Sequence, residues 1–410
     1  MKKRNILFIF LSNVQYEYFK RLGDYLSNEY NVHYLRLKEP INLKDVIKTA
    51  SLSSNVKIND IDQADIIEYS VKLKKYSKKL SMRRKFLMNT SFLKKHTVSL
   101  AMIVKNYLEV HSIDLVCVWN GSKLPLAVSR YIAKLMGIHL LHFENGALLD
   151  TTTVDSIGVN FHNSLVDMPV TFWESVSIDE EKIQSLCSNP LTVRERRNTS
   201  SVSGFFLKIK EDKTCNIAVL PNNYIFVPFQ VHDDTQVLLF SPQVKTMEQL
   251  LDFVWQAVEK FNQNSESPLT IVVKEHPGDY GRIDYTKLRE QYHERNVIFA
   301  NECLTEDLIK NSTGVITLNS TVGIEALLCH KPVISLGNAF YNIPGLVTNV
   351  ANPDKLADYL YVLDRPVNIN LANKFLYYLR YKYLVEGSWR NPDERHLESV
   401  KKKVENVLDA

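Results

Sequence analysis

The sequence predicts an α/β protein built of two Rossmann-like, doubly wound domains, and three observations point there. Short, wholly apolar runs such as NILFIFL, IDLVCVW and TIVVK alternate with amphipathic stretches, the pattern of parallel strands covered by helices on both faces. The alternation starts twice, near residue 5 and again near residue 224. A chain of 410 residues, 45% hydrophobic and 23% charged, is also too long for one small core and ordinary enough to fold as two. Between the halves, from about 165 to 222, the pattern weakens into polar runs such as RERRNTSS. The domains are therefore placed at 1–200 and 201–410, with the last helices, near 366–385, expected to return to the N-terminal domain.

In chain order, NILFIFL reads as a strand, YEYFKRLGDYL as a helix and YNVHYLRL as a second strand, a βαβ opening. IDLVCVW is a buried strand ending at Asn120-Gly121-Ser122-Lys123, LPLAVSRYIAKLMG a helix closed by Gly137, and IHLLHFENG a strand and loop. In the second half YIFVPFQ and QVLLF read as strands around a loop, followed by the amphipathic helix TMEQLLDFVWQAVEKFNQ and the strand PLTIVVKEHP. NVIFA, GVITLN and KPVISLG continue as strands, separated by helices TEDLIKN and STVGIEALLC, with PDKLADYLYVL as a last crossover.

Charge is unevenly spread. Residues 69–108 hold eleven Lys or Arg and no Asp or Glu, so a chain of net charge +4 carries −7 elsewhere. A local basic block points to an anionic surface such as a membrane or glycolipid and away from nucleic acid, which calls for a broader basic footprint. Leu73, Tyr76, Leu80 and Leu87 fall near helical spacing among these lysines and arginines, as in an interfacial helix, so peripheral contact with the inner membrane through residues 72–95 is expected. A solvated basic helix packed on its domain is the alternative. No apolar run approaches the roughly 20 residues of a membrane span, and the N-terminal apolar run is shorter than a signal-peptide core, so a cytoplasmic location is expected. Five scattered cysteines without a CxxC pair predict neither a disulfide framework nor a zinc site.

In open parallel sheets ligands sit beyond the carboxyl ends of the strands. The residues there are Asn120 to Lys123, Glu144 through Asn145 to Gly146, His232 to Gln236 with Asp233, Asp234 and, just before them, Gln230, Lys274 to Gly278, and Asn319 to Glu325. Ser320 or Thr321 is a natural N-cap for the helix that follows GVITLN. With Gly323 permitting close approach, the same turn can seat a phosphate, and Glu325 can accept from ribose hydroxyls; capping alone would also account for Ser320. Pro277 ends the strand TIVVKEHP and presents His276, which can bind or protonate a departing phosphate beside Lys274. Either Asp233 or Asp234 can attack an anomeric carbon, the alternative being a plain turn. Glu144 is a candidate general base or sugar-hydroxyl ligand, and Asp155 and Asn160 of the DSIGVN segment are candidate substrate contacts, a structural role such as capping the next segment being the alternative for Glu144 and Asp155.

These elements, FENG at Glu144, D-x-x-GVN from Asp155 to Asn160, FVPFQVHDDTQV, KEHP and NSTVGIEALLCHKPVISLG, resemble in the same order the bacterial capsule-polysaccharide biosynthesis family that contains retaining β-Kdo glycosyltransferases. The resemblance spans most of residues 115–350. It implies a glycosyltransferase-B type fold and transfer of Kdo from CMP-β-Kdo to a surface-glycan acceptor, O-antigen or capsule glycolipid. A covalent intermediate would form on the aspartate that precedes a small hydroxyl residue, which selects Asp234 over Asp233. It also implies that His276 and Pro277 hold the CMP phosphate, and Ser320, Thr321 and Glu325 the nucleotide. No cofactor beyond the donor is expected, and because Asp233-Asp234 is adjacent and not DxD, no metal. KEHP and NSTVGIEAL also look like motifs of bacterial sialyltransferases. A transferase of another CMP-nonulosonate, a nucleotide-sugar epimerase and a non-catalytic polysaccharide-terminus binding module are the other readings.

Overall fold

The computed structural model describes residues 3–37, 63–76, 89–188 and 220–410. The chain divides into two compact units, Met1–Ser164 with Tyr381–Ala410, and Leu165–Arg380.

Unit 1 holds a six-stranded sheet of order β12-β5-β4-β3-β1-β2. Its strands are β1 (Asn5–Phe10), β2 (Asn31–Arg36), β3 (Leu115–Trp119), β4 (His139–Asn145), β5 (Thr151–Asp155) and β12 (Val385–Glu386). The four from β2 to β4 pair in parallel, while β5 and β12 add antiparallel edges. Ile6 to Ile9 and Leu115 to Val118 are buried on both faces, which is why these strands read as unbroken apolar runs. The helices are α1 (Asn13–Leu26), α2 (Gln63–Tyr76), α3 (Thr90–Val110), α4 (Leu126–Leu135) and, from the far end of the chain, α13 (Glu394–Leu408). Ser12 and Gln15 form a capping box at the start of α1. Tyr18 of α1 donates to or accepts from His396 of α13 at 2.9 Å.

Unit 2 holds an all-parallel sheet of order β11-β10-β9-β6-β7-β8. Its strands are β6 (Tyr224–Pro228), β7 (Thr270–Lys274), β8 (Val297–Phe299), β9 (Gly314–Thr317), β10 (Val333–Ser335) and β11 (Thr348–Asn349). Taken in chain order, this is the 3-2-1-4-5-6 arrangement of dinucleotide-binding sheets, and it reverses direction between β6 and β9. The helices are α5 (Val170–Ser175), α6 (Glu180–Ser188), α7 (Thr235–Leu238), α8 (Met247–Asn262), α9 (Thr286–Tyr292), α10 (Thr305–Asn311), α11 (Val322–Leu328) and α12 (Ile369–Tyr378).

Several expectations change. The unit boundary falls at 164/165, not 200/201, because α5 and α6 pack on α12: Trp173 is fully buried, 5.4 Å from the Phe375 ring and 5.6 Å from that of Tyr378. For the same reason α12 stays in unit 2, and it is the segment from Tyr381, with β12 and α13, that belongs to unit 1. QVLLF is not a strand. Asp234 caps the short helix α7 by accepting from Gln236 N, so the chain turns helical where its apolar run is too short to distinguish the two. Cys303 is disulfide-bonded, against the expectation of none, while Cys117, Cys187 and Cys329 are free. In the basic block Leu73, Phe92 and Leu93 are buried in unit 1, as are Ile66 and Ile67 just before it, and Lys72 pairs with Glu68. The described apolar faces of α2 and α3 are thus turned into protein, and residues 77–88, with Leu80 and Leu87, lie outside the described residues. Among the described residues no helix is long and apolar enough to cross a membrane.

Candidate active site

In unit 2 the residues of interest gather where the sheet reverses. The loop after β6 carries Gln230 to Asp234, and the loop after β9 carries Asn319 to Thr321. Gln230 Nε2 donates to Asn319 Oδ1 at 3.0 Å, and Asn319 Nδ2 donates to the carbonyls of Gln236 (2.8 Å) and Phe240 (3.1 Å). Both side chains are buried. They act as a polar rivet between the two loops, a use of Asn and Gln that spacing alone does not distinguish from ligand binding.

Asp233 and Asp234 have different surroundings. Asp234 Oδ1 accepts from Gln236 N at 2.8 Å and Thr235 Oγ1 at 3.2 Å, while Oδ2 accepts no hydrogen bond among the described residues. Asp233 Oδ2 is ion-paired with Arg282. His232, the residue before it, is held by Asp279: Asp279 Oδ2 accepts from His232 N at 2.9 Å, and Oδ1 lies 2.7 Å from His232 Nδ1. Asp279 is 2% exposed and also meets Arg282 at 3.5 Å. His232 stood in the strand-end loop expected from the sequence, without a role of its own, and Asp279 and Arg282 were not expected there at all. The signal of Asp279 and Arg282 there is the charged run KEHPGDYGR itself.

His276 caps the 3-10 turn Pro277–Asp279, its Nδ1 accepting from Gly278 N at 2.9 Å. The ring proton of the neutral imidazole is thereby assigned to Nε2, a donor. Lys274 turns elsewhere, donating to the carbonyls of Asn301 (2.9 Å) and Cys303, and Glu275 is buried with Arg289 as its ion-pair partner. In the last motif Thr321 occupies the N-cap position without a side-chain cap bond, and Ser320 Oγ accepts from Val322 N at 3.2 Å. Gly323 does not open room for a ligand, because a Cβ there would meet the Tyr341 hydroxyl at 2.6 Å. Glu325 is buried within α11.

In unit 1 the carboxyl ends of β3 and β4 carry a second polar group. Glu144 Oε2 accepts from Asn120 Nδ2 at 2.7 Å, and Oε1 from Asn145 N and Nδ2 at 2.9 and 3.0 Å. Asn120 reaches Glu144 from a left-handed backbone, φ 59°. Asn145 Oδ1 accepts in turn from Trp389 Nε1 (2.9 Å) and Arg390 Nη1 (2.8 Å), and the Arg390 guanidinium lies 4.3 Å over the Trp389 ring. Burial lowers the Arg390 pKa, and the Glu144 carboxylate opposes that shift. Lys123 sits 4.6 Å over the Tyr69 ring.

Asp155 is an organiser of the fold. Buried, it accepts from Ile157 N (2.7 Å), Gly158 N (3.1 Å), Ser164 N (2.9 Å), Ser164 Oγ (2.6 Å) and Tyr383 OH (2.9 Å). It thus ties the GVN turn, in which Asn160 has φ 56°, to the returning C-terminal segment. A cavity of about 540 Å³ in unit 2, lined in part by Cys187, Lys310, His330 and Lys331, lies at the amino ends of β9 and β10 and takes no part in this chemistry.

Two Rossmann-like units in one chain define a glycosyltransferase-B type fold. The solved structure of Thermosulfurimonas dismutans KpsC, beta Kdo 2,7 transferase, is similar to 98% of this chain over 100% of its own, with a TM-score of 0.50 and 16% identity. Residues 207–389 match the model of the family described as capsule polysaccharide biosynthesis protein, the family that the motifs resemble. Protein FixF of Sinorhizobium fredii (strain NBRC 101917 / NGR234) is 33% identical over 291 residues, 70% of this chain and 65% of FixF. The capsule polysaccharide export protein KpsS of Escherichia coli is 27% identical over 274 residues, 57% of this chain and 69% of KpsS. The chain therefore spans about two thirds of the length of these curated relatives.

Proposed function

We propose that the chain is a retaining glycosyltransferase that moves Kdo from CMP-β-Kdo to a bacterial surface-glycan acceptor. The observation that carries this is the contrast between two adjacent carboxylates at the point where the unit 2 sheet reverses. Asp233 is neutralised by Arg282, whereas Asp234 is oriented through one oxygen and, among the described residues, keeps the other without a hydrogen bond. A nucleophile needs that second condition. Asp234 attacks the anomeric carbon as the bond to the CMP phosphate breaks, and the phosphate leaves with the electron pair. The acceptor hydroxyl then displaces Asp234 from the opposite face, so two inversions give retention.

His276, its Nδ1 fixed by Gly278, is the donor to the CMP phosphate through Nε2, and Ser320 and Thr321 flank the nucleotide. In unit 1, Glu144 is the ligand or base for the acceptor hydroxyl, with its orientation set by Asn120 and Asn145. The acceptor is a lipid-linked or polysaccharide glycan.

The test is intact-protein mass after incubation with CMP-Kdo. A Kdo-sized adduct is expected on the native chain and on Asp233→Asn, and none on Asp234→Asn. CMP release to an acceptor without any adduct would remove the covalent mechanism, and no CMP release under any condition would remove the transferase.

A further inference from the structure

The His232–Asp279 pair is not accounted for by that scheme. Asp279 is a buried acceptor, so the Nδ1 that meets it at 2.7 Å carries a proton. Asp279 also takes the backbone N–H of His232, which locks both ends of the residue to the turn after β7. The ring is therefore held with one nitrogen spent on structure and Nε2 left over. Nε2 makes no hydrogen bond among the described residues; Asp233 Oδ2, at 3.8 Å, is beyond bonding reach and already paired with Arg282. The side chain keeps 14% of its surface open.

Its location narrows what Nε2 can meet. His232 lies two residues before Asp234, on the loop after β6. The neighbouring loop, after the paired strand β7, presents His276, and the two loops are in close contact: a Cβ on Gly278 would lie 3.0 Å from His276 Nδ1 and 3.2 Å from Val231 Cγ2. Asp279, Asp233 and Arg282 are the charged groups facing the ring, two anions and one cation. With the ring proton on Nδ1, Nε2 presents a lone pair, an acceptor.

We infer that His232, oriented by Asp279, is a donor-binding residue whose Nε2 accepts from a hydroxyl of the CMP-sugar, on either its ribose or its sugar ring. This rests on the transferase reading above. Asp279 is then a positioning residue.

The test compares His232→Asn with His232→Gln by calorimetric binding of CMP and of CMP-Kdo, with Asp234→Asn in all forms so that donor is not consumed. The Asn amide reaches the Nδ1 position and keeps the bond to Asp279, but has nothing at Nε2; the Gln amide reaches Nε2. Binding weakened about tenfold or more in His232→Asn, at an unchanged melting temperature, and largely recovered in His232→Gln is the expected result. Loss with CMP itself assigns a ribose hydroxyl, and loss with CMP-Kdo alone assigns a hydroxyl of the sugar. Unaltered binding in His232→Asn overturns the inference, as does equal loss in both variants with a lowered melting temperature, which would mark a structural role. Failure of the His232-native form to bind either molecule would instead remove the nucleotide-sugar reading, and this inference with it.

Discussion

At Asp234 one side chain serves two purposes that substitution can separate. Its Oδ1 caps α7, and asparagine caps a helix about as well as aspartate, whereas alanine loses about 1 kcal/mol. Asp234→Asn is therefore expected to melt within a degree or two of the native chain, and Asp234→Ala slightly lower, with neither forming the adduct; thermal denaturation alongside mass measurement checks this. Asp155 is the opposite case, a carboxylate whose whole task is cohesion. Replacing it with alanine leaves five donors without their acceptor in a buried site, a cost of about 3 kcal/mol or more by urea denaturation. A loss under 1 kcal/mol would contradict the role given to it here. The motif around Asp155 was visible in the sequence, but a motif does not say whether its carboxylate faces a ligand or a ring of backbone N–H groups. The same ambiguity covers Gln230 and Asn319. The partnership of His232 with Asp279 was invisible for another reason: they are 47 residues apart, and only the pairing of β6 with β7 brings their loops together.

Among the elements, the legible ones are those whose burial writes itself into composition. β1, β3, β6 and β7 are central parallel strands with both faces covered, so each is an unbroken apolar run. β12, two residues long, has no such signature, and α7, four residues long, is decided by its cap and not by its period. The segment α5–α6 looked like a linker because its residues are polar, yet one side chain anchors it: Trp173, fully buried against Phe375 and Tyr378 of α12. Trp173→Ala should cost unit 2 about 3–5 kcal/mol. Limited proteolysis should then cut between Val170 and Ser188, and an unchanged pattern would mean that the segment is held some other way.

Across the whole molecule the two units differ in their response to acid. Burial pushes His96 and His142 of unit 1 down to about 4 and lowers His396 as well. Each is neutral when folded but takes a proton near 6.5 when unfolded. The stability this confers is present above pH 6.5 and is lost as pH falls towards 4, about 3 kcal/mol for each of the first two. Calorimetry from pH 7 to 5 should show the transition of unit 1 moving down further than that of unit 2; equal shifts would count against it. Unit 1 is also discontinuous, closed by Tyr381–Ala410. On a ribosome, where the chain emerges from its N-terminus, unit 2 has all its residues in hand first. Until β12 arrives to pair with β5, the nascent unit 1 holds an open sheet edge that invites pairing with other chains. A stop codon near residue 380 would therefore damage the half of the protein made first, and it would show as aggregation during synthesis before it showed as lost activity.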